Sequence, residues 1–179
     1  FFHHEQSAAF AAISFAQLTG KAATCLISTG CASTNTITGV LSAWQDGVPS
    51  IFISGQNILK ETTRHRKIKI RTFGQQEADI ISLVKPITKY AVMIQKPEDI
   101  NKELQKAIQI ANISPKGPVW VDIPVDIQDF RIEKKYKKIQ INQRIYKCKK
   151  EELTYFYKNL LESKRPALLI GSGIKSAGA

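Results

Sequence analysis

The sequence predicts an α/β fold, a parallel sheet with helices on both of its faces, and three observations carry that expectation. Short apolar runs alternate with stretches of helical periodicity across residues 1–130. One run, GPVWVDIP, is apolar almost without a break, as in a strand covered on both sides. Gly20, Gly47, Pro49 and Gly55 stand at the boundaries of the runs. Right-handed crossovers between successive parallel strands then place helices on both faces.

The elements follow in order. QSAAFAAISFAQLTGK has apolar residues on a helical period and stops at Gly20, a C′ glycine. AATCLIS reads as a buried strand, TGCASTN as a turn of small residues, and TITGVLSAWQDG as a second helix ending near Gly47. PSIFISG is the next strand. QEADIISLVK reads as a short helix and ITKYAVMIQ as a strand, while PEDINKELQKAIQIAN begins with proline and two acids, which suit a helix N-terminus. GPVWVDIP closes the repeat. Beyond it, a basic stretch from Phe130 to Lys150 reads as a linker, then EELTYFYKNLLES as a helix and RPALLIGSG as a strand that opens a second α/β domain. Trp44 and Trp120 fall on faces that read as core.

A chain of 179 residues with 43% hydrophobic content can bury a core, and no apolar run approaches the roughly 20 residues that cross a bilayer. No membrane role is expected. Cys25, Cys31 and Cys148 stand in unrelated contexts without a C-x-x-C pair, which suits a reducing cytoplasm. The net charge of +11 is concentrated in TTRHRKIKIR and in RIEKKYKKIQINQRIYKCKK. Neither block has the form of a nucleic-acid module, so they read as a solvated loop and a linker, with no nucleic-acid partner. His3 and His4 are adjacent, which on a strand points them to opposite sides, and no third ligand stands nearby; no metal site is expected in this chain.

One residue resists a purely architectural reading. Glu5 lies between two phenylalanines and a run of alanines, and a carboxylate in apolar surroundings needs a partner or a task.

The segments His4-Glu5-Gln6, STGCASTN, DGVPSIFISGQ, GQQEAD, VKPITKYAV and KGPVWVDIPVDIQ occur in this order over nearly the whole chain. Together they resemble the thiamine-diphosphate enzymes of the acetolactate synthase type. The resemblance implies that residues 1–129 are the pyrimidine-binding domain, lacking its N-terminal part. It makes 130–150 a basic linker and 151–179 the truncated start of the central domain.

In that family the glutamate at the position of Glu5 hydrogen-bonds N1′ of the cofactor's aminopyrimidine and promotes the imino tautomer that removes the C2 proton of the thiazolium. Burial beside Phe1, Phe2 and Phe10 would raise the pKa of such a carboxyl, and a helix start would lower it. Gly30, Cys31 and Asn35 match the loop that packs on the pyrimidine, although Cys31 and Ala32 replace the usual proline and glycine. Gln76 matches a glutamine facing cofactor and substrate. Gln75 replaces the usual phenylalanine, and the loop from Gln56 to Gln76 is longer than in typical members and carries Arg64, His65, Arg66 and Lys67.

The resemblance further implies a carboligase or decarboxylase acting on a 2-keto acid and working as a homodimer or homotetramer. Magnesium would be held by a domain absent from this chain, whose sequence has no G-D-G segment, and FAD is a further cofactor of some members. This chain alone is expected to be inactive. The alternative is a non-catalytic copy of the fold that binds a partner through its basic face; retention of Glu5 speaks against it.

Overall fold

The computed structural model describes residues 1–132, 137–142, 147–171 and 173–177. Gly20 ends the first helix, α1 (Glu5–Thr19), by taking φ 71° and donating its N–H to Ala16 O at 2.9 Å. The chain turns into β1 (Ala23–Ile27), then α2 (Cys31–Asn35) and α3 (Ile37–Gln45), so the small-residue turn predicted over TGCASTN is itself largely a helical turn. β2 (Ser50–Gln56) follows. After α4 (Thr63–Arg66) and α5 (Ile80–Val84) come β3 (Tyr90–Met93), α6 (Ile100–Asn112), β4 (Pro118–Pro124) and α7 (Val125–Gln128).

All pairings are parallel, in the order β1-β2-β4-β3. Register sets the two faces, because Phe52 lies opposite both Cys25 and Trp120. Cys25, Phe52, Trp120 and Met93 therefore share a face, covered by Ala9 and Ala12 of α1, Val40 of α3 and Ile80 and Val84 of α5. The Phe52 and Trp120 rings stack with centroids 5.5 Å apart. Ile51, Val119, Val121 and Ile123 form the other face beneath Ala107 and Ala111 of α6. The expected doubly covered parallel sheet is what the chain forms.

Two expectations need correction. Trp44 is 42% exposed, whereas Trp120 is wholly buried: an indole near the end of a surface helix can lie along the rim, but one in a central strand cannot. The segment 165–171 has no strand structure, and its Leu168, Leu169 and Ile170 are exposed; a strand needs a neighbour to take up its backbone hydrogen bonds, and the described residues offer none there. The helix before it, α8 (Lys150–Glu162), is present but buries no residue, and α9 (Gly173–Ala177) follows.

The predicted linker is partly anchored. Gln105 and Gln109, one turn apart on α6, accept from Ile139 N and Ile141 N and donate to Lys137 O and Ile139 O. Residues 133–136 and 143–146 of that linker lie outside the described residues.

Candidate functional site

Helix α1 leads into the start of β1, so its first turn lies at the opposite, C-terminal edge of the sheet. The turn that follows β1 emerges at the same edge, as do Gln56 at the end of β2 and the loop that precedes α5. In parallel α/β sheets this edge is where ligands bind.

Glu5 opens α1, and the helix is capped just ahead of it by His4, whose Nδ1 accepts from Gln6 N at 3.2 Å. Asn35, at the end of α2, donates from Nδ2 to Glu5 Oε2 at 3.0 Å. The Asn35 amide, followed by Glu5's own backbone N–H, holds the carboxyl below its ordinary range and outweighs the opposing effect of burial. Glu5 is thus an ionised acceptor. The apolar enclosure anticipated from the neighbouring phenylalanines is open: Phe1, Phe2 and Phe10 are all exposed, although Phe1 and Phe2 line the same groove as Glu5. Glu5 lines an open groove of about 780 Å³ between α1 and the edge strand β1, together with Phe1, Phe2, Phe15, Leu26 and Ser28.

Gly30 takes φ 63° and ψ −123°, and a Cβ there would stand 1.9 Å from the backbone oxygen of Gln76. Only glycine fits. Gln76 itself has φ 53°, the left-handed region that residues with a Cβ seldom adopt. The turn after β1 and the loop at Gln76 are therefore pressed together backbone to backbone. Cys31 begins α2 and is exposed, while Cys25 is buried in the core, where burial pushes its thiol up to about 11.

Four residues passed over as site candidates do most to hold this edge in shape. Gln56 Oε1 accepts from the Thr29 hydroxyl at 2.9 Å and from Asn57 N at 3.0 Å, while its Nε2 donates to Ala78 O at 3.1 Å and to Asp122 Oδ2 at 3.0 Å. Ser54 donates to Asp122 Oδ1 at 2.6 Å and accepts from Trp120 Nε1 at 2.8 Å. Glu77, almost wholly buried, accepts from Thr63 N, from the Thr63 hydroxyl and from Phe73 N, and so ties both ends of the basic loop. The available signal was the one that singled out Glu5: a carboxylate inside GPVWVDIP has no place in an apolar strand without partners.

Three of the loop's basic side chains are also engaged. Arg64 pairs with Asp79 at 3.4 Å, His65 Nδ1 lies 3.0 Å from Gln95 Oε1, and the Arg66 guanidinium sits 5.1 Å from the Phe73 ring centroid. Among the described residues no three His, Cys, Asp or Glu side chains gather as metal ligands, and no helix is long and apolar enough to cross a membrane. The Glu5 carboxylate beside an open groove fits an aromatic ring that presents an N–H.

Fold and site together define an α/β domain that offers an acidic hydrogen-bond acceptor at the C-terminal edge of a parallel sheet. Residues 1–83 match the family described as thiamine pyrophosphate enzyme, N-terminal TPP binding domain. The chain is 36% identical to a probable acetolactate synthase large subunit of Methanocaldococcus jannaschii, with 98% of this chain and 29% of that protein covered. It is 34% identical to the acetolactate synthase large subunit of Haemophilus influenzae, with 97% and 30% covered. A solved structure of a putative thiamin diphosphate-dependent enzyme from Mycobacterium smegmatis superimposes with a TM-score of 0.77 at 24% identity, over 92% of this chain and 30% of that one. The chain carries the N-terminal TPP-binding domain of an acetolactate synthase-like enzyme. It spans less than a third of the length of these relatives.

Proposed function

We propose that this chain is the pyrimidine-binding part of a carboligase or decarboxylase that acts on a 2-keto acid, with Glu5 as its proton-handling residue. The observation that carries the reading is the placement of Glu5: an ionised carboxylate, oriented by Asn35, at the edge where the Gly30 turn and the Gln76 loop meet. When bound, thiamine diphosphate supplies a carbon nucleophile that adds to the keto acid and stabilises the charge left by loss of CO2. Glu5 would exchange a proton with the ring nitrogen N1′, its carboxyl O–H donating to the neutral ring and its carboxylate accepting from N1′–H once the proton has moved, a role that an amide cannot fill. Gly30 and Cys31 offer a flat backbone surface to the pyrimidine, Asn35 keeps Glu5 in register, and Gln76 stands toward the substrate.

Residues 1–129 act in this reading as the pyrimidine domain, 130–150 as a linker and 151–179 as the beginning of a central domain. Magnesium and the diphosphate are held outside this chain in this reading; among the described residues no three His, Cys, Asp or Glu side chains gather as metal ligands. A homodimer or homotetramer in the cytoplasm is the corresponding assembly, since a partner must supply the other half of the site. The test is thermal unfolding of the complete protein with thiamine diphosphate and magnesium. A stabilisation that grows with cofactor concentration supports the reading, and no shift at millimolar cofactor overturns it in favour of a scaffold.

A further inference from the structure

Asp122 is 1% exposed, in the middle of the sheet, and among the described residues no lysine or arginine lies within ion-pair distance of it. Arg64, the cation whose charge acts on it, is paired with Asp79 instead. A buried carboxylate without a cation is costly, and an apolar residue would fill the space at lower cost if packing were the whole task. What an aspartate adds is direction. Both of its oxygens accept, which fixes the Gln56 amide with Nε2 toward Asp122 and Ala78 and Oε1 toward Thr29 and Asn57.

Thr29 immediately precedes Gly30, and Ala78 lies two residues after Gln76. The two loops that Gly30 and Gln76 press together are thus held by one amide whose orientation Asp122 sets. Taking the cofactor reading above as its basis, we propose that Asp122 is a positioning residue for the pyrimidine site, acting through Gln56 on the Thr29–Gly30 turn and the Gln76–Ala78 loop. It does not touch the cofactor.

The arrangement is sensitive to protonation. Burial raises the Asp122 pKa to about 7, against the Ser54 and Gln56 hydrogen bonds that lower it; Asp79 raises it further and Arg64 lowers it. A protonated carboxyl carries an O–H donor where two donors already point, so either the Ser54 hydroxyl or the Gln56 amide must turn. If the amide turns, Oε1 leaves Thr29.

The test measures thiamine diphosphate affinity of the complete protein with magnesium, by titration calorimetry between pH 6 and 8.5. In the wild-type protein affinity rises through pH 7. Asp122→Asn replaces one of the two acceptors by an amide donor at every pH, so the Ser54–Asp122–Gln56 chain loses its fixed direction, affinity falls about tenfold at pH 8, the worth of one hydrogen bond, and the rise through pH 7 disappears. Thr29→Val weakens binding in the same direction, Thr29→Ser does not, and the double variant Asp122→Asn/Thr29→Val loses less than the product of the single losses. A pH profile of Asp122→Asn that superimposes on the wild type, or losses that simply multiply, overturns the proposal. If Asp122→Asn does not fold, the Thr29 pair decides, and unchanged affinity in Thr29→Val overturns it. Failure of the wild-type protein to bind the cofactor removes the cofactor reading itself, a result distinct from either.

Discussion

Asn35 Nδ2 and Glu5 Oε2 lie 3.0 Å apart, a hydrogen bond that joins the end of α2 to the first turn of α1 across 30 residues of sequence. It holds the carboxylate below its ordinary range and aims it.

The first expected consequence concerns catalysis. Glu5→Gln in the complete enzyme keeps the fold, because an exposed amide can still pair with Asn35, but lowers turnover roughly 10²- to 10⁴-fold by removing the proton-sharing group. Hydrogen–deuterium exchange at C2 of bound thiamine diphosphate is the direct measurement. Wild-type exchange rates in the variant would remove Glu5 from its role.

A second expectation follows from the 1.9 Å separation between a built Cβ at Gly30 and the oxygen of Gln76. Gly30→Ala combines that clash with a φ of 63°, so it destabilises the complete protein by at least about 1–3 kcal/mol. Thermal unfolding checks it, and an unchanged midpoint would mean that the two loops separate freely.

Glu77 leads to a third. Its carboxylate takes three hydrogen bonds from Thr63 and Phe73, so Glu77→Ala strands donors at both ends of the basic loop, at a cost of about 1–3 kcal/mol. Trypsin is then expected to cut between Arg64 and Arg71 faster than in the wild-type protein while the sheet stays intact. Equal cleavage rates would show that the loop is held by other contacts.

The fourth is the pH dependence of stability at Asp122. The fold raises this carboxyl from 3.8 to about 7, so between those values the folded state keeps a proton that the unfolded chain has lost. Its contribution is complete below pH 3.8 and is lost as the pH rises through 7, in total of order 4 kcal/mol. Glu5, lowered instead, contributes in the opposite sense and only at more acid pH, where its stabilisation disappears as the pH falls. Thermal midpoints of the wild-type protein should therefore decline from pH 4 to 7, and Asp122→Asn should flatten that decline; parallel curves would contradict it.

A fifth expectation separates the chain from its assembly. This 179-residue chain alone should hold thiamine diphosphate weakly and turn over no pyruvate, since the described residues offer no magnesium site, whereas the complete protein should be a dimer or tetramer. Titration calorimetry and light scattering decide the two halves. Micromolar, magnesium-dependent binding by the chain alone, or a strictly monomeric complete protein, would contradict them.

Much of this was legible beforehand, and for a local reason. The period of apolar residues along QSAAFAAISFAQLTGK and the continuous run GPVWVDIP each report which side of a short segment is buried, and that requires no knowledge of neighbours. RPALLIGSG shows the limit of the method: its composition suits a strand, but a strand exists only as one member of a pair.

The sequence by itself determined the strand–helix alternation, the glycine that stops α1 and the position of Glu5 at a helix start, because all three are properties of adjacent residues. Only the tertiary structure decided that the Glu5 carboxyl is held below its ordinary range and aimed, since that depends on Asn35 arriving from another helix. The sheet register decided the rest. Placing Ser54 beside Asp122 and Gln56 beside Pro124 brings into contact an amide and a carboxylate 66 residues apart, and the side-chain pattern of neither strand specifies that pairing without the other.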